Sequence, residues 1–95
     1  MLGAAGRVIM VSGANRGIGL AVARCLDSRG YSLSLGARDP RALEKATRDL
    51  APDRVLRHVY DAVDARSNAE WVAATAARFG RIDGLVNNAG IAPMA

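Results

Sequence analysis

The chain has 95 residues, of which 51% are hydrophobic and 23% are charged, and its formal net charge is +4 at pH 7. This composition excludes a disordered chain, and the apolar runs are too short to cross a bilayer. Only 4% of the residues are aromatic, too few for a platform that stacks nucleic-acid bases, so we expect a cytoplasmic protein with no membrane or nucleic-acid partner.

The first predicted strand covers residues 8–11, a continuous apolar run, and the first predicted helix covers residues 17–29. Between them, residues 12–19 read Ser-Gly-Ala-Asn-Arg-Gly-Ile-Gly. A glycine-rich turn between a strand and a helix gathers free backbone N–H groups and the positive end of the helix dipole around one point, which suits a phosphate. Glycine there permits the tight turn and the close approach of a pyrophosphate.

The lone Cys25 falls in the apolar pattern of this first helix, with Ile18, Val22 and Leu26. We interpret it as a core residue rather than a nucleophile. A single cysteine cannot form an internal disulfide, which agrees with a reducing compartment.

The second predicted strand, residues 31–35, alternates apolar and polar residues. Asp39 is placed as the N-cap of the second helix and Pro40 as its first residue. The apolar face of this helix is expected to contain Leu43, Ala46, Thr47 and Leu50.

The third predicted strand, residues 54–60, carries polar groups and suits a sheet edge, where we expect His58 to be exposed or packed rather than catalytic. The third helix is predicted to begin with Ser67 and Glu70 at capping-box spacing and to end at Gly80. Its predicted buried residues are Val72, Ala76 and Phe79. A fourth strand follows at residues 85–86 and is apolar, as expected of a central strand.

Alternating strands and helices predict an α/β, Rossmann-type doubly wound parallel sheet with strand order 3-2-1-4. A cofactor crevice is then expected at the carboxyl ends of strands 1 and 4. Since domains of this kind commonly need about 200 to 250 residues, residues 1–95 are expected to be a portion of one domain. Strand 4 would otherwise be an apolar edge that favours association.

The glycine spacing, Gly13, Gly17 and Gly19, resembles the short-chain dehydrogenase/reductase family, whose usual form is Thr-Gly-x-x-x-Gly-Ile-Gly; here Ser12 replaces the threonine. A second family signature, Asn-Asn-Ala-Gly, occupies residues 87–90 after the fourth strand. The resemblance covers essentially the whole chain and implies an N-terminal, cofactor-binding half.

The resemblance implies one set of cofactor-binding residues: Gly13, Asn15, Arg16, Gly17, Ile18, Gly19, Arg38, Asp61, Ala62, Asn88, Ala89 and Gly90. By position, the Ile18 N–H would bind the pyrophosphate and Asp61 would accept from the adenine amino group, with Ala62 where the family more often has valine. Asn87 is interpreted as a brace between the central strands.

The end of the second strand favours NADP(H). A carboxylate there binds the adenosine ribose and repels a 2′-phosphate, whereas an arginine does the reverse. Ala37 stands where NAD-preferring relatives carry aspartate, and Arg38 follows it. Arg16 in the glycine loop is expected to point to the same region, as in NADP-preferring members.

The resemblance implies hydride transfer between NADPH and a carbonyl or alcohol substrate, aided by a Tyr-x-x-x-Lys pair. These 95 residues do not contain that pair: Leu35 and Asp64 stand four residues after the two tyrosines, and the one lysine is Lys45. We identify no catalytic residue and no metal site.

We therefore expect a C-terminal half, in the same or a separate chain, and a homo-oligomer when the enzyme is complete. Two alternatives remain open. One is a non-catalytic NADPH-binding module, and the other is a truncated fragment that binds nothing stably.

Overall fold

The computed structural model describes residues 5–88. Strands and helices alternate along the chain, with one short 3₁₀ turn at Pro52–Arg54. The regular elements are β1 (Val8–Ser12), α1 (Gly17–Ser28), β2 (Ser32–Ala37), α2 (Pro40–Thr47), β3 (Val55–Val59), α3 (Ala65–Phe79) and β4 (Gly84–Val86).

The four strands form one parallel sheet in the order β3-β2-β1-β4. In the middle of the sheet, Val11 of β1 pairs with Leu35 of β2 on one side and with Val86 of β4 on the other. The predicted doubly wound α/β fold and its strand order are confirmed.

The side chains of β2 alternate between two hydrophobic clusters, one on each face of the sheet. Leu33, Leu35 and Ala37 belong to the cluster that packs under α1 and α2, whereas Ser34 and Gly36 contact residues of α3 on the opposite face. Because successive side chains of a strand point to opposite faces, both faces of this central strand are covered, as parallel sheets require.

The buried face of α1 differs from the predicted one. Gly19 and Ala23 are its fully buried residues. Of the four predicted residues, Val22 and Leu26 are partly buried against the core, whereas Cys25 is exposed and Ile18 is 72% exposed. Small residues four apart bring the helix close to the sheet, so the stripe is centred on them rather than on the larger apolar side chains. The interpretation of Cys25 as a core residue is therefore wrong.

The start of α3 also differs from the prediction. The helix begins at Ala65, and its N-cap is Asp64, whose side chain accepts from the Arg66 N–H at 3.0 Å. Ser67, the predicted start, lies inside the helix. The Asp64 carboxylate accepts from the N–H of the second residue after it. This cap replaces the predicted capping box, in which a side chain must reach the N–H of the third residue after it.

The buried face of α3 contains Ser67, Trp71 and Thr75, while Val72 and Ala76 are exposed and Phe79 is half-buried. Two of the three buried residues carry hydroxyl groups: Ser67 Oγ accepts from the Asp61 N–H at 2.9 Å, and Thr75 Oγ1 lies 2.7 Å from Ser34 Oγ of β2. Polar residues can be buried once they are hydrogen-bonded. The buried face of α3 predicted from its apolar residues is therefore wrong.

The start and the buried face of the second helix agree with the prediction, except that the helix ends at Thr47 and the buried Leu50 lies beyond it. The Asp39 carboxylate accepts from the backbone N–H groups of Arg41 and Ala42 at 3.0 and 3.2 Å, and Pro40 is the first helical residue. Leu43 and Thr47 are fully buried. In the described part of the chain, no helix is long and apolar enough to cross a membrane.

The fourth strand is an edge of the described sheet, and its Leu85 is 59% exposed. An apolar edge is what the sequence predicts for strand 4 within these residues, and its expected place in the interior of a larger sheet stays a prediction. The strand is held at its start by Asp83, whose carboxylate accepts from the Val8 N–H at 2.8 Å and from Arg81 at 2.6 and 2.9 Å.

The Arg81 guanidinium, and then the Val8 N–H, hold the pKa of the Asp83 carboxyl below its usual range. A depressed pKa in the folded state means that Asp83 stabilises the fold above the unfolded-state pKa, and that this contribution is lost as pH falls below about 4. We expect Asp83→Asn to lower the unfolding temperature at pH 7. As the pH is lowered, the unfolding temperature of this variant should fall less than that of the parent.

Thermal unfolding followed by circular dichroism from pH 7 to pH 2.5 checks this expectation. Asp53→Asn is the matched control, because the Asp53 side chain has no hydrogen bond among the described residues. If the unfolding temperatures of the parent and of Asp83→Asn changed with pH by the same amount over the whole range, the role given to this carboxylate would be contradicted.

Candidate functional site

An open cleft of about 1060 Å³ lies where the carboxyl ends of β1, β2 and β3 meet the first turn of α1. Its size is that of a site for a large small-molecule ligand. Its lining residues are Gly13, Asn15, Arg16, Gly17, Ile18, Ala37, Arg38, Asp39, Tyr60, Asp61, Ala62, Val63 and Asn88.

The glycine loop needs its glycines for two different reasons. Gly13 and Gly17 have φ values of 64° and 58°, a left-handed conformation that favours glycine. Gly19 has no such φ, but a Cβ there would lie 2.1 Å from the Gly13 carbonyl oxygen and 3.0 Å from Asn88 Nδ2. The helix can therefore begin directly against the end of β1 only because residue 19 has no side chain.

The amino terminus of α1 is left open toward the cleft. Arg16 is at the N-cap position without a side-chain hydrogen bond to the helix, and the first turn contains no acidic residue. By contrast, Asp39 caps α2 and Asp64 caps α3. Backbone N–H groups at a helix start need acceptors, so the uncapped helix is the one suited to bind an anion.

Two arginines line the same cleft beside that open terminus. Arg16 and Arg38 are both exposed, and their guanidinium groups make no hydrogen bond or ion pair with any other described residue. Ala37 is buried, so no carboxylate stands at the end of β2. Asp39 does line the cleft, but one of its oxygens is committed to capping α2.

The loop after β3 brings Asp61 to the cleft with a fixed carboxylate. Asp61 Oδ1 accepts from the Val63 N–H at 3.1 Å, and the Asp61 N–H donates to Ser67 Oγ at 2.9 Å. One step earlier, the Tyr60 N–H donates to the Ala37 carbonyl at 2.9 Å. The loop that carries Asp61 is thereby joined to the end of β2, next to Arg38.

Asn88 reaches the glycine loop from the end of β4. Its backbone N–H donates to Ser12 Oγ at 2.8 Å, and its Nδ2 donates to the Gly13 carbonyl at 3.5 Å. The Ser12 hydroxyl also lies 3.2 Å from Asn87 Oδ1, an arrangement in which Asn87 links β4 to β1. Ser12 thus joins the two strands, a contribution that the sequence did not reveal.

All the predicted cofactor-binding residues that the structure describes, other than Gly19 beneath the loop, line this one cleft. Ala89 and Gly90 lie outside the described residues. Sequence reasoning missed Tyr60 and Val63, which also line the cleft, and Val63 is 92% exposed. Their position beside Asp61 in the sequence was the available signal.

Other groups considered from the sequence take no part in the cleft. His58 is half-buried, and its Nδ1 lies 2.8 Å from the Val59 carbonyl oxygen. Within residues 5–88, no three His, Cys, Asp or Glu side chains are grouped as a metal site would need. A smaller cleft of about 420 Å³ adjoins the first and is lined by residues that include Trp71, Leu85 and Asn87.

Comparison with known proteins gives a consistent result. A family model described as short chain dehydrogenase matches residues 7–95. Agropine synthesis reductase of Rhizobium rhizogenes is 52% identical over 85 residues, which are 87% of this chain and 19% of that protein.

Two solved structures share the fold. L-sorbose reductase from Gluconobacter frateurii, complexed with NADPH and L-sorbose, has a TM-score of 0.86 at 35% identity, over 94% of this chain and 35% of that one. An alcohol dehydrogenase from Thermococcus sibiricus, complexed with 5-hydroxy-NADP, has a TM-score of 0.77 at 39% identity, over 83% and 35% respectively. In all three cases the chain spans well under half of the relative's length.

We expect Gly19→Ala to lower the free energy of unfolding by about 1–3 kcal/mol, as overpacking in a tight interface does. It should also weaken the binding of any ligand that the glycine loop holds. The added methyl would overlap the Gly13 carbonyl, which is backbone and cannot rotate away. Urea unfolding measures the loss. Gly84→Ala is the control, since its Cβ would meet only the end of the Ile9 side chain, at 3.2 Å; equal stabilities of the two variants would contradict the close-approach argument.

Proposed function

The chain belongs to the short-chain dehydrogenase family, and we propose that it is the NADP(H)-binding portion of an oxidoreductase. The complete enzyme would transfer hydride between NADPH and a carbonyl or alcohol substrate. The cofactor supplies the hydride chemistry, and the protein supplies binding and orientation.

The observation that carries this proposal is the start of α1, which has no side-chain cap and faces a cleft lined by two arginines that pair with no other residue of the range 5–88. The free N–H groups and the helix dipole suit the pyrophosphate, and Gly13 and Gly17 let it approach the backbone. The fixed Asp61 carboxylate suits the adenine amino group at the far side of the same cleft.

Selectivity for NADP(H) over NAD(H) is supported by the end of β2. Arg38 and Arg16 would bind a 2′-phosphate. At the end of β2 the side chain is the methyl group of Ala37 rather than a carboxylate, and the nearby Asp39 uses one carboxylate oxygen to cap α2. Two structures of similar fold, the L-sorbose reductase with NADPH and the alcohol dehydrogenase with 5-hydroxy-NADP, contain cofactors of the NADP type. These agree with the proposed preference.

The proton-transferring residues are proposed to lie outside these 95 residues, because no tyrosine here has a lysine four positions on. We propose that a C-terminal half, in the same or a separate chain, supplies them together with the pocket for a small carbonyl or alcohol. The exposed apolar edge at β4 is where further strands would pair. The complete enzyme is proposed to be a homo-oligomer.

Isothermal titration of the chain with NADPH and with NADH tests the proposal. We expect NADPH to bind more tightly, and Arg38→Ala to weaken NADPH binding about tenfold or more while leaving NADH nearly unchanged, since a charge-assisted hydrogen bond is worth about 1.5–3 kcal/mol before screening. Raising the salt concentration should shrink the difference.

Arg41→Ala is the matched control, because Arg41 is an exposed arginine three residues further on that does not line the cleft. It should leave both affinities unchanged. No binding of either nucleotide by the folded parent would overturn the proposed function, and equal effects of Arg38→Ala on NADPH and NADH would overturn only the assigned selectivity.

A further inference from the structure

Trp71, the one tryptophan of the chain, is buried on α3 at 1% exposure and lies on the end of β2. A Cβ built at Gly36 would come within 2.9 Å of both Cη2 and Cζ2 of the indole, and within 3.0 Å of the Tyr60 Cβ. The indole therefore occupies the space that any larger residue at position 36 would need.

Three hydrogen bonds fix the indole in that position. Trp71 Nε1 donates to Ser34 Oγ at 2.8 Å, and Ser34 Oγ lies 2.7 Å from Thr75 Oγ1, which donates to the Trp71 carbonyl at 2.8 Å. Each hydroxyl has a single proton, so Ser34 must be the donor to Thr75. The bonds close a ring between β2 and α3, and buried networks of this kind are rigid when every member is paired.

The backbone beneath the indole holds two walls of the cleft. The Gly36 carbonyl accepts from the Ala14 N–H of the glycine loop at 3.3 Å, and the Ala37 carbonyl accepts from the Tyr60 N–H at 2.9 Å. The Tyr60 ring also packs against the indole, with 4.8 Å between ring centroids. A shift of this short segment would therefore move the glycine loop and the loop after β3 together.

We propose that Trp71 is a positioning residue for the adenosine end of the cofactor cleft, acting through Gly36; the inference rests on the proposed binding of NADP(H). The indole does not need to touch the cofactor. It sets where β2 ends, and hence where Arg38 and Asp61 stand relative to the phosphate-binding loop.

The test is a double-mutant cycle on the affinities for NADPH and NADH, each measured by calorimetry at a temperature where the variant is fully folded. Trp71→Leu removes the support and Gly36→Ala pushes against it, so each should weaken NADPH binding about tenfold and reduce the preference over NADH. In the double variant the methyl no longer meets the indole and has only the Tyr60 Cβ, 3.0 Å away, as a close neighbour, so we expect part of the affinity to return.

Two further variants separate positioning from stability. Val55→Ala, at the opposite end of the sheet, should lower the unfolding temperature without changing the ratio of the two dissociation constants. Ser34→Ala removes the indole's acceptor but keeps its ring, and should weaken NADPH binding severalfold; it carries the test if Trp71→Leu does not fold.

Two results would overturn the inference while leaving the proposed function intact. One is a folded Trp71→Leu or Ser34→Ala variant that binds NADPH within twofold of the parent. The other is a double variant whose loss equals the product of the two single losses. A folded parent that binds neither nucleotide would instead remove the proposed function, and this inference with it.

Discussion

The close approach of α1 to the end of β1 is the contact on which the rest of the site depends. Gly19 packs against the Gly13 carbonyl at a distance that leaves no room for a side chain. Because the helix starts there, its uncapped N–H groups face the cleft, and Asn88, two residues beyond the edge strand, can reach the same carbonyl. One missing Cβ thus fixes the direction of the dipole and the place where β4 joins the loop.

Among the three α-helices of residues 5–88, the caps explain why α1 is the one suited to an anionic ligand. Asp39 and Asp64 satisfy the first N–H groups of α2 and α3 and place negative charge at those ends, which the helix dipole favours. The start of α1 has neither a capping side chain nor an acidic residue in its first turn. An anion held there would supply what the protein itself provides for the other two helices.

The sequence predicted the sheet order and the location of the cleft because both depend on local signals that are strong. Gly13 and Gly17 are required by backbone angles, and continuous apolar strands identify a parallel sheet. The faces of α1 and α3 were harder to predict, because they depend on partners that are distant in the sequence. Cys25 is exposed since Gly19 and Ala23 set the contact.

On α3, the hydroxyl of Thr75 is buried because Ser34, 41 residues away, is there to pair with it. The sequence pattern close to Thr75 and Trp71 does not predict that Ser34 is their hydrogen-bond partner. On α3, hydrophobic periodicity favoured the larger apolar residues over serine and threonine, whereas the energetic requirement is only that a buried hydroxyl be hydrogen-bonded. The same limit hid Ser12, whose hydroxyl joins β1 to β4 through the Asn88 N–H.

The exposure of the two cleft arginines sets the form that selectivity can take. Arg16 and Arg38 are both in contact with solvent, so their attraction for a phosphate is screened by water and salt and is weaker than that of a buried pair. The absence of a carboxylate at the end of β2 matters as much as these charges. The side chain there is the buried methyl group of Ala37, and the neighbouring Asp39 carboxylate accepts hydrogen bonds from two N–H groups at the start of α2. The proposed discrimination between dinucleotides with and without a 2′-phosphate would therefore depend on the missing carboxylate at the end of β2 as well as on the positive charge at the rim of the cleft.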